Sequence, residues 1–233
     1  MKKQIPNIIT LFNLASGCFA VLLAVNGHKE EAAAMVLLAS VFDFFDGFAA
    51  RLLHVKSEIG KELDSLADVV SFGLAPAVIM YHLYLTTKVF DVQLYDIQLI
   101  PAFLTVLFPC FVAFRLAKFN TDSRQTDIFY GLPSPAAAFM LISFVFFPQK
   151  EYLFWIYTVV IISLCVFMLL NIPLLSLKFK DFKFRNNIFR YMLIFTAIIL
   201  LTALLFRAIP FIILTYVVLS LVYNLINKLG KNL

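Results

Sequence analysis

Apolar residues fall in eight long runs separated by short polar breaks: Ile8 to Val25, Ala32 to Leu53, Leu63 to Leu85, Leu99 to Phe119, Pro135 to Phe147, Tyr152 to Leu177, Tyr191 to Phe206 and Pro210 to Ile226. Runs of this length lack the strict alternation of a membrane barrel strand and match the ~20 residues a helix needs to cross ~30 Å of hydrocarbon. The pattern therefore predicts an all-α polytopic bundle of about eight membrane helices, treated as one domain over residues 1–233. The fifth run is short, about 20 Å as a helix, and is predicted to begin near Gly131-Leu132-Pro133-Ser134.

Composition strengthens this picture. Hydrophobic residues make up 62% of the chain, charged ones 14%, and mean hydropathy is +0.93, against about 45–50% apolar residues in soluble domains. A water-soluble enzyme is excluded on that ground. Cys18, Cys110 and Cys165 each sit inside an apolar run, which argues for packing and against a disulfide framework. His28, His54 and His82 are too scattered for a zinc site, so any metal is expected on oxygen ligands. A cleaved leader is not expected, because the first run is long, carries Asn13 and leads directly into the second.

With the amino terminus cytoplasmic and all eight runs spanning, only Lys29, Lys88, Lys150 and Arg207 of the 19 Lys and Arg fall outside. This is the bias of the positive-inside rule, and dropping the fifth span would send the basic loop Lys178 to Arg190 to the wrong side. Both termini are thus expected in the cytoplasm, most simply at a cell (inner) membrane. The net charge of +5 is explained by anionic headgroups without any nucleic acid. The segment Lys178-Phe179-Lys180-Asp181-Phe182-Lys183-Phe184-Arg185 alternates aromatic and basic residues. It reads as a plain topological anchor or as an interfacial lipid-binding element.

The acids are placed unusually. Six of the 14 Asp and Glu lie between Asp43 and Asp68, and four of these are aspartates in or beside predicted membrane helices. Each costs about 2.5–3.5 kcal/mol near a helix centre and so needs compensation. Asp43, Asp46, Gly47 and Ala50 form one stripe on the second helix, while Gly60, Asp64 and Asp68 recur every four residues on the third. Two such stripes on sequential antiparallel helices can face one another, with glycine and alanine leaving room for a ligand. Four carboxylates around that space suit one or two divalent cations, Mg²⁺ or Mn²⁺. The competing readings are pairing with Arg51, Lys56 or Lys61, a carboxylate-based cation or proton transporter, and a scaffold with buried acids.

The array Asp43-x2-Asp46-Gly47-x2-Ala50-Arg51-x8-Gly60-x3-Asp64-x3-Asp68 resembles the signature of the CDP-alcohol phosphatidyltransferase family at every defining position. The resemblance implies that Asp43, Asp46 and Asp64 ligate metal, and that Asp68 ligates the second metal and acts as general base. It further implies that Gly47 and Arg51 contact the CDP moiety. Ser57, and Asn7 and Thr10 in Pro6-Asn7-Ile8-Ile9-Thr10, match family positions near the nucleotide. A homodimer is implied as well.

Phe114-Arg115-Leu116-Ala117-Lys118-Phe119-Asn120-Thr121 followed by Gly131-Leu132-Pro133-Ser134-Pro135, in the region 114–135, together with the opening Pro6-Asn7-Ile8-Ile9-Thr10-Leu11-Phe12-Asn13, resembles the serine-using branch of that family. The implied reaction joins a phosphatidyl group from CDP-diacylglycerol to L-serine, giving phosphatidylserine and CMP in phospholipid biosynthesis. Arg115, Asn120 and Ser134 are the candidate acceptor-binding residues, because charged and amide groups fix a zwitterion's orientation. A phosphorylated acceptor such as glycerol 3-phosphate or inositol phosphate would also draw basic residues here, so charge leaves the sister transferases open. The basic residues also have a purely topological reading.

Overall fold

The computed structural model describes residues 4–55, 57–87, 95–121, 129–175, 183–184 and 187–229. The segment Lys178–Arg185 lies outside these residues except for Lys183 and Phe184, as do Lys2, Lys3, Lys56, Lys88, Arg124 and Lys231 of the charge count. Among the described residues the helices are α1 (Gln4–Val25), α2 (Lys29–Leu52), α3 (Glu58–Asp68), α4 (Ala75–Thr86), α5 (Tyr95–Thr121), α6 (Ser134–Ile142), α7 (Tyr152–Leu169), α8 (Ile188–Leu204) and α9 (Ile209–Leu229). The chain is an all-α integral membrane bundle.

Among the described residues six stretches are long and apolar enough to cross a bilayer. The fifth run becomes α6 and a 3-10 turn, Ser143–Phe146, an apolar helical piece of about 20 Å, as short as its run implies and starting at Ser134. The last two runs form α8 and α9, contiguous as one 39-residue apolar stretch, Ile188–Ile226, but parted at Leu205, whose φ of 53° cannot continue a right-handed helix. The two helices pack on each other across that break.

Helix α1 shows how the bundle is sorted. It buries Pro6, Thr10, Asn13, Ser16, Gly17, Ala20 and Ala24 and exposes Ile5, Ile8, Leu11, Phe12, Phe19, Leu22 and Val25. In water that arrangement would be inside out. In lipid the large apolar side chains stay with the acyl chains while small and polar ones make the helix contacts. Ala32, Ala33, Val36 and Ala39 do the same on α2, and the two helices pack along one another.

The third span is the most buried and is interrupted. After Asp68 the helix widens into a π-helical stretch, Val69–Leu74, before α4 resumes. Gly73, and Pro76 with no amide to give Phe72, both weaken regular α geometry there, and Gly73 lets the backbone of Pro109 on α5 approach, since a Cβ would stand 3.2 Å from its Cα. Phe72, Ile79, Met80 and Leu83 from this span join Phe108, Val112, Leu141 and Tyr157 in the core.

The sequence pattern did not foretell a two-residue antiparallel pairing of β1 (Phe129–Tyr130) with β2 (Pro173–Leu174). It ties the approach to α6 to the exit from α7.

Candidate metal and nucleotide site

Ser57 begins the site. Its hydroxyl accepts from the Gly60 amide at 3.1 Å and caps α3, fixing where Gly60, Asp64 and Asp68 emerge. Asp43 and Asp46 come from the C-terminal half of α2, and α1 lies against both helices. Carboxylate oxygens of Asp43, Asp64 and Asp68 lie within 4.8 Å of one another. Asp46 is not a member of that triplet: its Oδ2 accepts from the Thr10 hydroxyl at 2.6 Å. The charges of Asp43, Asp46 and Asp64 nevertheless all bear on Asp68. Asp68 is held by Asn13, whose Nδ2 donates to Oδ1 at 3.2 Å.

Among the described residues no ion pair joins these aspartates to Arg51 or Lys61. Lys61 instead donates to the Asn120 carbonyl at 2.9 Å. Lys56 lies outside the described residues. Asp64 Oδ1 is buried with no hydrogen-bond partner. Clustered carboxylates in a medium of low dielectric repel one another and leave lone pairs unsatisfied, a cost that a divalent cation removes. The donor set, all hard oxygen, fits such an ion.

Beside the aspartates opens a cavity of about 580 Å³ lined by Pro6, Asn7, Thr10, Asp46, Gly47, Ala50, Val55, Ser57, Glu58, Gly60, Lys61 and Asp64. A Cβ on Gly47 would meet nothing within 4 Å, whereas one on Gly60 would stand 2.8 Å from Asn7 Oδ1. The missing side chains thus have different meanings: Gly47 widens the cavity and Gly60 admits the Asn7 amide.

The structure brings Asn7, Thr10, Gly47 and Ser57 to this cavity. Arg51 is exposed in the last turn of α2 and is not part of the lining. On the other side of the acids, Arg115 Nη1 on α5 donates to Ser134 Oγ on α6 at 3.0 Å. Both side chains are buried, at 7% and 0% exposure. Arg115 lies within Coulombic range of Asp68, and its guanidinium carbon is 5.9 Å from the centre of the Phe119 ring. Arg115 Nε has no partner. Asn120 takes a different place: its Nδ2 donates to Ser65 Oγ at 2.8 Å, fastening α5 to α3.

Two groups escaped the sequence reading. Asn13 has no role assigned by the sequence beyond closing the opening segment Pro6 to Asn13, although it follows Thr10 by three positions and so shares its face. Tyr216, on α9, is also within Coulombic range of Arg115, but nothing near it in sequence sets it apart from other apolar-helix tyrosines.

Comparison with known proteins agrees with this geometry. The chain is 35% identical over 146 residues to the CDP-diacylglycerol–serine O-phosphatidyltransferase of Mycobacterium leprae, covering 59% of this chain and 45% of that one. It is 33% identical over 148 residues to the Bacillus subtilis protein of the same name, covering 63% and 78%. It is 36% identical over 145 residues to the archaetidylserine synthase of Methanothermobacter thermautotrophicus, covering 60% and 57%. The matched part thus spans about half the length of the first and third of these relatives. The family model of the CDP-alcohol phosphatidyltransferases matches residues 3–170, which takes in α1, both aspartate-bearing helices, the capped start of α3 and the Arg115–Ser134 pair. With the acid-bearing helices facing one another beside an open cavity, the chain belongs to the CDP-alcohol phosphatidyltransferase family.

Proposed function

We propose that this protein transfers a phosphatidyl group from CDP-diacylglycerol to L-serine, releasing CMP, with its active site open to the cytoplasm. The observation that carries the reading is the convergence of Asp43, Asp64 and Asp68 at the edge of a cavity that also takes in Asp46 and the open face of Gly47. The family membership and the printed names of the relatives support the serine-using branch. The archaetidylserine synthase relative leaves the hydrophobic tail of the donor open, since acyl and ether chains both belong in lipid.

The roles follow from chemistry. Asp43, Asp46, Asp64 and Asp68 would hold one or two divalent cations, Mg²⁺ or Mn²⁺. Such ions, when bound, neutralise the donor's diphosphate and stabilise charge on the departing CMP. Asn7, Thr10, Gly47 and Ser57 line the space for the nucleotide half, and Arg51, exposed one turn beyond Gly47 on α2, would swing its guanidinium to the diphosphate. The Asn13 bond occupies one oxygen of Asp68 and leaves the other to take the proton of the acceptor hydroxyl as general base. Arg115 presents a forked donor to the serine carboxylate, with Ser134 setting its orientation. Asn120 acts from α5 as a strut beside that pocket. The basic loops support cytoplasmic termini in a cell membrane, and a homodimer is the family expectation.

The test is turnover of purified protein with labelled serine, CDP-diacylglycerol and added Mg²⁺ or Mn²⁺. Labelled lipid is expected. Product from glycerol 3-phosphate or inositol phosphate but not serine would move the protein to a sister transferase, and ion flux in proteoliposomes without CDP-lipid would replace the enzyme with a transporter. Asp68→Asn is expected to abolish turnover while retaining CMP binding; full activity would remove the base assignment.

A further inference from the structure

The family match ends at residue 170, yet α9, which begins at Ile209, reaches back into the matched part. Three of its polar side chains lie at i, i+4 and i+8, on one face. Tyr216 OH donates to the Leu175 carbonyl at 3.1 Å. Ser220 Oγ accepts from the Leu175 amide at 3.1 Å and itself donates to the Tyr216 carbonyl at 2.7 Å. Asn224 Nδ2 donates to the Pro173 carbonyl. Among the described residues all three therefore hold the strand β2 and the residue after it. Leu174, Leu175, Tyr216 and Ser220 are buried, so their bonds are made where water does not compete and where losing one leaves a buried polar group unsatisfied.

What β2 holds is the approach to Ser134. Leu174 pairs with Phe129 and Pro173 with Tyr130. The Gly131 amide donates to the Ile172 carbonyl at 2.9 Å, and the Leu132 amide to the Phe167 carbonyl at 3.2 Å. Gly131 has a φ of 74°, and a Cβ there would stand 2.5 Å from the Met168 carbonyl oxygen, so the turn sits directly on the end of α7. Pro133 then starts α6, whose first residue is Ser134, the partner of Arg115. Helix α9 also packs against α6 itself.

We infer that Tyr216, Ser220 and Asn224 of α9 are positioning residues for acceptor recognition, acting through β2 and the Gly131–Pro133 turn to set the place of Ser134 and hence of the Arg115 guanidinium. None of the three lines the nucleotide cavity. Their loss should therefore register on the acceptor and not on the CDP-lipid. The inference rests on the proposed role of Arg115 and Ser134 in holding the acceptor alcohol.

The experiment compares full-length wild type with Tyr216→Phe, Ser220→Ala and Asn224→Leu in two measurements. Steady-state kinetics are expected to show the KM for serine raised about fivefold per lost hydrogen bond, with the KM for CDP-diacylglycerol unchanged. Amide hydrogen exchange is expected to quicken over residues 129–134 and 172–175, with α1, α2 and α3 unaltered. The exchange arm uses no substrate, so it is read even if wild type makes no lipid from serine; that result removes the serine reading and not the link from α9 to Ser134. Unchanged exchange over 129–134 in all three variants overturns the link. Faster exchange throughout the chain, with both KM values rising together, also overturns it, because α9 would then serve stability alone.

Discussion

Asn13 Nδ2 on α1 meets Asp68 Oδ1 on α3 at 3.2 Å with both side chains buried, so a helix that carries no acid controls the orientation of the carboxylate assigned as base. Groups that orient metal ligands or bases typically matter by about 10–100-fold in activity when removed. Asn13→Leu keeps the approximate volume and deletes the donor. Turnover is expected to fall by that factor, while the KM for CDP-diacylglycerol holds, since Asn13 is not part of the cavity lining. Steady-state kinetics on purified protein decide the matter; unchanged kcat would reduce Asn13 to a packing residue.

The two signature glycines should respond differently to alanine. At Gly47 the added methyl touches nothing within 4 Å, and alanine is favoured over glycine in a helix by about 1 kcal/mol. Gly47→Ala is therefore expected to melt no lower than wild type in detergent yet to bind CMP more weakly, because the methyl takes up cavity space. At Gly60 the methyl would stand 2.8 Å from Asn7 Oδ1, so the Asn7 side chain must swing aside and nucleotide affinity falls through that displacement. In Gly60→Ala, replacing Asn7 with Ala should restore part of the melting temperature; the same change in Gly47→Ala should not. CMP titration beside thermal melting separates the two.

The aspartate stripes were readable because a carboxylate in a hydrophobic run is costly, and helical spacing alone says that Asp43 with Asp46, and Asp64 with Asp68, share a face. The capping serine was readable as a position and not as a cap. What spacing could not provide is which of four acids form the tight group: that depends on Thr10 drawing Asp46 away by a bond between residues 36 positions apart. Nor could it place Asn120, since the same amide that suits a ligand also suits Ser65 across the helix interface. The residue at which the last two runs part turns on the positive φ of Leu205, a conformation no leucine advertises. The π-helical widening after Asp68 likewise comes from how Gly73 and Pro76 meet their neighbours, not from hydrophobic period.

Gly17 is the point where α1 touches the widened part of the third span. A Cβ there would lie 2.8 Å from Ser71 Cα and 2.4 Å from Ser71 Oγ, and Ser71 donates to the Asn13 carbonyl at 3.0 Å. Gly17→Ala has backbone in its way, so α1 must retreat from the span that carries Asp68. The expected cost is about 1–3 kcal/mol, as for an overpacked core, seen as a lower melting temperature in detergent and lower turnover. Cys18→Ala, one residue along and exposed, should leave both unchanged. Equal melting of Gly17→Ala and Cys18→Ala would show that the helices can separate freely at this contact.

Arg115 and Ser134 give the sharpest measure of the acceptor side. The guanidinium is buried and bonded through Nη1 to a fully buried hydroxyl, with Nε left unpaired, an arrangement that costs stability unless a ligand completes it. Arg115→Lys keeps the charge and loses the planar fork that matches a carboxylate; the KM for serine is expected to rise at least tenfold with the KM for CDP-diacylglycerol unchanged. Ser134→Ala leaves Nη1 without its partner, at a cost of about 1–3 kcal/mol, and should raise the serine KM less. Because Ser134 acts through Arg115, the double variant should be no worse than Arg115→Lys alone, the non-additivity expected of groups in contact. Independent, additive losses would show that Ser134 meets the acceptor by itself. A rise in both KM values accompanied by a lower melting temperature would assign the pair to holding α5 against α6 and leave the carboxylate without its partner.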